Sequence, residues 1–287
     1  MNFTNAEDLL KICKEQKLSI SKVMMRREMN IGEVGQEEVI QKMTYAFQIM
    51  KDAIYKSLTE DIKSIGGLIG GEAVKLNKRI KNGNPVCGQI IAKAMAYAMG
   101  VLEINSSMGL IVAAPTAGSS GVIPGVFVAV QEEFGCSDDQ MVEILFNAGA
   151  VGYLITRNAT VSGAEGGCQA EVGAASAMAA SAITQLMGGS PQECLDAAST
   201  AIMNILGLVC DPIAGLVEVP CQKRNAMGAS NALISAEISL SGIVSIIPFD
   251  EVVDTMYKVG KSLPSELRET ALGGIAATPT ACKMCIK

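Results

Sequence analysis

No histidine occurs anywhere in the 287 residues, and that absence removes a large part of acid–base and metal chemistry. A Ser-His-Asp or Cys-His nucleophile, a His-ligated zinc and a haem all require an imidazole that this chain cannot supply by itself. Charge is also scarce, at 18% of residues, and the balance is acidic at −6. The only basic runs are residues 22–27 and 75–81, which excludes nucleic acid as the main partner. No long apolar run is present either. The most apolar stretch, residues 108–130, is interrupted by Pro115, Thr116, Ser119, Ser120 and Pro124, whereas a membrane-spanning helix needs roughly 20 continuous apolar residues. The first 17 residues are polar and helical in pattern, unlike a signal peptide, so the expected location is cytoplasmic.

Hydrophobic residues nevertheless make up 49% of the chain, and the mean hydropathy is +0.33. That apolarity is expected to be buried, in a core or against a partner chain. Period-2 runs of β-branched residues are few, residues 242–248 being the best strand candidate. Helical patterning dominates. Thr4-Asn5-Ala6-Glu7 reads as a capping box opening a short helix with Leu9, Leu10 and Ile12 or Cys13 inward. A long helix is expected over residues 37–59, after a break at Gly32 and Gly35. A glycine-rich connector, residues 66–71, leads to a basic helix ending near Asn82-Gly83-Asn84-Pro85. From Gly88 onward the helices become rich in Ala, Gly, Ser and Met, which permits close approach and burial on most faces. Ser137-Asp138-Asp139-Gln140 and Ser190-Pro191-Gln192-Glu193 are good helix starts. The expectation is one all-α catalytic domain over residues 1–287. Within it, residues 1–85 form a lighter helical segment and residues 86–287 the binding core.

Glycine, serine and proline collect in a few loops. One runs from Asn105-Ser106-Ser107-Met108-Gly109 into Ala114-Pro115-Thr116-Ala117-Gly118-Ser119-Ser120-Gly121. Such a density of amides and short hydroxyls suits a small anion, and it equally suits a plain connection between buried helices. Nine cysteines occur with no secretory marker, which favours metal ligands, reactive thiols or core residues over disulfides. Cys168, Cys210 and Cys221 stand beside glycine or proline at helix edges, where local amides can stabilise a thiolate. Their spacing matches no short zinc or ferredoxin pattern, so a three-thiolate site and buried structural thiols both stay open. Cys13, Cys87, Cys136 and Cys194 have no such surroundings, and Cys282 and Cys285 form a Cys-x-x-Cys near the end.

At these residues the sequence resembles the α chain of the two-chain, iron–sulfur-dependent L-serine dehydratases of bacteria. The carrying segments are Ser106-Ser107-Met108-Gly109, Ala114-Pro115-Thr116-Ala117-Gly118-Ser119-Ser120-Gly121 and Ala164-Glu165-Gly166-Gly167-Cys168-Gln169-Ala170-Glu171. Cys210-Asp211-Pro212-Ile213-Ala214-Gly215-Leu216-Val217-Glu218-Val219-Pro220-Cys221 and Lys223-Arg224-Asn225 complete them. The resemblance extends over essentially the whole chain. It implies a helical catalytic subunit with a [4Fe–4S] cluster on Cys168, Cys210 and Cys221, one iron open, and conversion of L-serine to pyruvate and ammonia. Ser106, Ser107, Thr116, Ser119 and Ser120 would then bind the substrate, and Lys223, Arg224 and Asn225 would provide charge pairing and catalysis.

The resemblance also implies a β chain. Family members carry a Ser-Ser-His-Thr type motif in that part, and with no imidazole here the general base is expected to come from the partner. In single-chain relatives a C-terminal cysteine can occupy the open iron. Cys285 is the candidate tail ligand, although Ile286 and Lys287 follow it; an incidental tail cysteine is the other reading. Two rivals remain from the residues alone: a cysteine desulfidase-type lyase on the same scaffold, and a non-catalytic helical binding subunit. A pyridoxal-phosphate enzyme ranks lower, because no lysine accompanies the glycine-rich loops.

Overall fold

The computed structural model describes residues 2–284, and within them the chain forms thirteen α-helices and no strand. The first four are α1 (Ala6–Gln16), α2 (Ile20–Gly32), α3 (Gln36–Thr59) and α4 (Glu72–Asn82). Next come α5 (Gly88–Ser106), α6 (Val122–Phe134), α7 (Asp138–Asn158), the single turn α8 (Gly163–Gly166) and α9 (Cys168–Leu186). The last described helices are α10 (Pro191–Ile205), α11 (Cys221–Leu240), α12 (Phe249–Ser262) and α13 (Pro279–Met284). The all-α expectation is met.

Local chemistry sets several of these boundaries. Ser137 and Ser190 each close a capping box with the residue three positions on, Gln140 and Glu193, and Pro191 occupies the first turn of α10. At the first helix the cap is Asn5 instead of Thr4: its side chain accepts from the Asp8 amide, and Ala6, Leu9 and Cys13 face inward. Leu10 and Ile12 are only half-buried. The strand candidate at residues 242–248 is a turn and open loop, with Ile243, Val244, Ile246 and Ile247 exposed. β-Branched residues alone do not make a strand when no neighbouring segment offers a ladder.

Helix α9 is the axis of the molecule. It packs against α6, α7, α10 and α11, and every residue from Val172 to Thr184 is buried. Its alanines keep helix propensity high, and together with Ser and Gly they leave almost no side chain to hold neighbours apart. The hydroxyls of α9 itself are satisfied. Ser176 donates to the Gly228 carbonyl at 2.9 Å and accepts from Asn231 at 2.9 Å, tying α9 to α11. Ser181, Asn147, Gln185 and Ser21 form a chain of side-chain hydrogen bonds joining α9, α7 and α2. The buried hydrophobic cluster is continuous from Phe3 to Met256, so the N-terminal helices share the core of the rest. Among the described residues, no helix is long and apolar enough to cross a membrane.

Candidate active site

Two of the three singled-out cysteines are the first residues of helices. Cys168 opens α9 and Cys221 opens α11, two helices that pack together. A helix N-terminus presents unpaired amides and the positive end of the dipole, which favours thiolate at both positions. Gln169 anchors the start of α9: its side chain donates to the Met256 carbonyl at 2.9 Å and accepts from the Gly207 amide at 2.8 Å. Cys210 comes from the loop before α11. It is held by a parallel bridge to Arg268, in which the Cys210 amide donates to the Leu267 carbonyl and the Glu269 amide donates to the Cys210 carbonyl. All three thiols are free and buried.

The sulfurs of Cys168 and Cys210 and a carboxylate oxygen of Glu171 lie within 4.8 Å of one another. Glu171 follows Cys168 by three residues, so both project from one face of α9. Cys221 stands slightly apart, close enough for negative charge on Cys168 and Glu171 to act on it. Gly163 forms the floor of the site. A Cβ there would lie 3.0 Å from Cys210 Sγ, 3.1 Å from Glu171 Oε2 and 3.3 Å from Glu269 Oε2, so only glycine leaves room for this convergence.

One cation is built in. The Arg224 guanidinium pairs with Asp211 at 2.7 Å, donates to the Val209 carbonyl at 2.8 Å and reaches Cys168 Sγ at 3.5 Å. Cys168 is held below the ordinary thiol range, first by the hydrogen bond from the Cys210 thiol and then, against burial, by Arg224. Cys210 is pushed up by donating that hydrogen bond and by burial, and Cys221 is pushed up mainly by burial. The shared hydrogen bond and burial thus set the thiols apart, Cys168 lowered and Cys210 and Cys221 raised. The Glu171 carboxyl is raised chiefly by burial, against the hydrogen bond from Thr116, with the Glu269 charge adding to the rise.

The predicted polar residues divide. Thr116 reaches the site, its hydroxyl donating to Glu171 Oε1 at 2.5 Å and pairing with Ser119 at 3.0 Å. The hydroxyls of Ser106, Ser107 and Ser120 donate to the carbonyls of Val217, Ile104 and Ala117. Arg224 lies on the thiols. Asn225 is fully buried as a strut, donating to the carbonyls of Gly118 and Cys221 and accepting from the Gly121 amide. Lys223 is exposed and lines a small cleft with Glu72, Glu218 and Gln222. Cys282 is exposed, its thiol 3.9 Å from the Ala276 carbonyl, and Cys285 lies outside the described residues. Sequence reasoning missed Glu171, Glu269 and Asp211 as members of the site. The three-residue step from Cys168 to Glu171 was the available signal for the first; Glu269 arrives only through the tertiary bridge at Cys210.

Buried soft sulfur donors at two helix N-termini, beside a carboxylate and a guanidinium, define an all-α protein with the donor set of a thiolate metal centre. The chain belongs to the serine dehydratase alpha chain family, whose model matches residues 15–276. It is 50% identical over 278 residues to a Bacillus subtilis protein named probable L-serine dehydratase, alpha chain, covering 97% of this chain and 92% of that one. Identity to the L-serine dehydratase, alpha chain, of Peptoniphilus asaccharolyticus is 43% over 279 residues, 97% of this chain and 96% of that one. The L-serine dehydratase of Streptomyces coelicolor is 34% identical over 283 residues; the match takes in 98% of this chain and 62% of that longer protein.

Proposed function

We propose that this chain is the cluster-bearing subunit of an L-serine dehydratase, converting L-serine to pyruvate and ammonia with a [4Fe–4S] cluster on Cys168, Cys210 and Cys221. The observation that carries the reading is the convergence of the Cys168 and Cys210 sulfurs beside Arg224, with Cys221 at the head of the adjoining helix. Membership of the family and the printed names of the relatives supply the substrate. The donor set fits such a cluster: three free, buried thiols, two of them at helix N-termini, beside a glycine where any side chain would press on Cys210 and Glu171. When bound, a cluster held by three thiolates supplies an open iron as Lewis acid for a hydroxyl leaving group.

The chain's own groups bind and orient. Arg224 holds negative charge on Cys168 and is itself fixed by Asp211. Thr116 fixes one oxygen of Glu171, leaving Oε2 directed at the space above Gly163. The Ser106, Ser107 and Ser120 hydroxyls are engaged, as are the amides of Ser107, Met108, Gly109, Ser120 and Gly121, so the turn at residues 116–119 is the part of these loops assigned to the substrate carboxylate. Asn225 keeps the residue 118–121 turn against α11. No imidazole is available in this sequence to take the α-proton, so the general base is assigned to a separate β chain. The "alpha chain" names of the relatives support this partner, as does the length of the Streptomyces protein that lies outside the match.

The test is anaerobic mixing. Pyruvate should form from L-serine when this chain and the β chain are combined, and turnover by this chain alone should be near zero. Full activity of this chain alone would refute the divided site, and equal or better turnover of L-cysteine would move the assignment to a desulfidase.

A further inference from the structure

Among the described residues the carboxylate of Glu171 has no cationic partner, although a cation is close by. Thr116 occupies Oε1, while Oε2 points over Gly163 toward Cys210 Sγ and the Glu269 carboxylate. Space for this carboxylate is made on both sides by glycine, because a Cβ on Gly118 would come within 2.7 Å of Oε1. Among the described residues, neither Glu171 nor Glu269 forms an ion pair with a lysine or arginine. Arg224, the cation at the site, is committed to Asp211, the Val209 carbonyl and Cys168. A half-buried carboxylate beside a second carboxylate and a thiol is a costly arrangement unless a positive charge arrives from outside.

Resting on the dehydratase reading, we propose that Glu171 Oε2, seconded by Glu269, binds the α-ammonium group of the substrate and so selects amino acids over hydroxy acids. The rigid member is Glu171, on α9 and locked by Thr116. Glu269 is exposed and carried on the bridge to Cys210, where it closes the same space from the opposite side. An ammonium between them satisfies both carboxylates and sets the substrate against the thiols.

The experiment uses the two-chain holoenzyme, anaerobically, as wild type, Glu171→Gln and Glu171→Asp. Two ligands without a β-hydroxyl, L-alanine and L-lactate, differ in carrying an ammonium or a hydroxyl on the α-carbon, and their dissociation constants are measured by calorimetry. Wild type should favour L-alanine by about tenfold or more, a single well-placed charge contact being of that order. In Glu171→Gln the preference should collapse to about twofold and the KM for L-serine rise about tenfold. Iron content and the absorption spectrum should stay unchanged, and Glu171→Asp should recover part of the preference. The proposal is overturned by a wild type without the preference, by a Glu171→Gln protein that retains it, or by one that loses both ligands equally. Failure to make pyruvate from L-serine would instead strike the dehydratase reading, since the alanine–lactate comparison needs no turnover.

Discussion

At the scale of single residues, Arg224 illustrates how much a site depends on one buried charge. Its partner Asp211 is only 3% exposed at the side chain and its own side chain 14%. Breaking such a pair by removing one member leaves the other charge uncompensated, at a cost of about 3–5 kcal/mol. Arg224→Met is therefore expected to lower the stability of the apo chain by about that amount in a urea titration. Adding Asp211→Asn should recover a substantial part, because the orphaned charge is gone. No loss in the single variant, or no recovery in the double, would show that the pair is solvated in solution. Glycine and proline neighbours singled out the three cysteines in the sequence but left ligands and structural thiols both open, and Arg224 was named with Lys223 and Asn225 only through the family resemblance. Lys223 was not separable from Arg224 by sequence, because helix phase decides which of two adjacent cations faces the thiols.

At the scale of elements, helix boundaries were legible wherever capping is local. Ser137 and Ser190 open α7 and α10 as their capping boxes dictate, whereas the first helix starts at Asn5 because Asn and Thr compete for one cap. The glycine-rich connector is different: local bonds between Ser64 and the residues up to Ile69 bend it, but they do not fix where it lies. Its fold depends on Glu218, just upstream of Cys221, whose carboxylate accepts from Ser64 Oγ at 2.7 Å and from the amides of Gly66 and Leu68 at 2.7 and 2.9 Å. A carboxylate satisfied by three donors organises both segments at once. Glu218→Gln turns an amide group toward donors and should cost about 1.5–3 kcal/mol, the range for hydrogen bonds to charged groups. Hydrogen exchange at residues 64–71 should accelerate in that variant while α7 and α9 keep their protection. Unchanged exchange in the connector would remove Glu218 from this role.

At the scale of the whole molecule, the fold class was readable from composition and periodicity, since Ala-rich helices without strand alternation leave few other architectures. Which distant loops meet was not. Cys168, Cys210 and the C-terminal residues 267–275 come together through α9 packing, the bridge at Arg268 and the hydrogen bond from the Ile275 amide to Asp211, contacts that no local pattern encodes. The absent histidine is likewise a property of the whole chain, and it is the reason the proposed function assigns the general base to another polypeptide.

The most direct measurement is the iron and acid-labile sulfide content of the anaerobically purified chain, alongside single Cys→Ala variants at positions 168, 210 and 221. The account predicts about four iron and four sulfide per chain, as in a cubane cluster, with each variant losing most of both while Cys136→Ala keeps them. A colourless, iron-free wild type that stays so after reconstitution with iron and sulfide would contradict it.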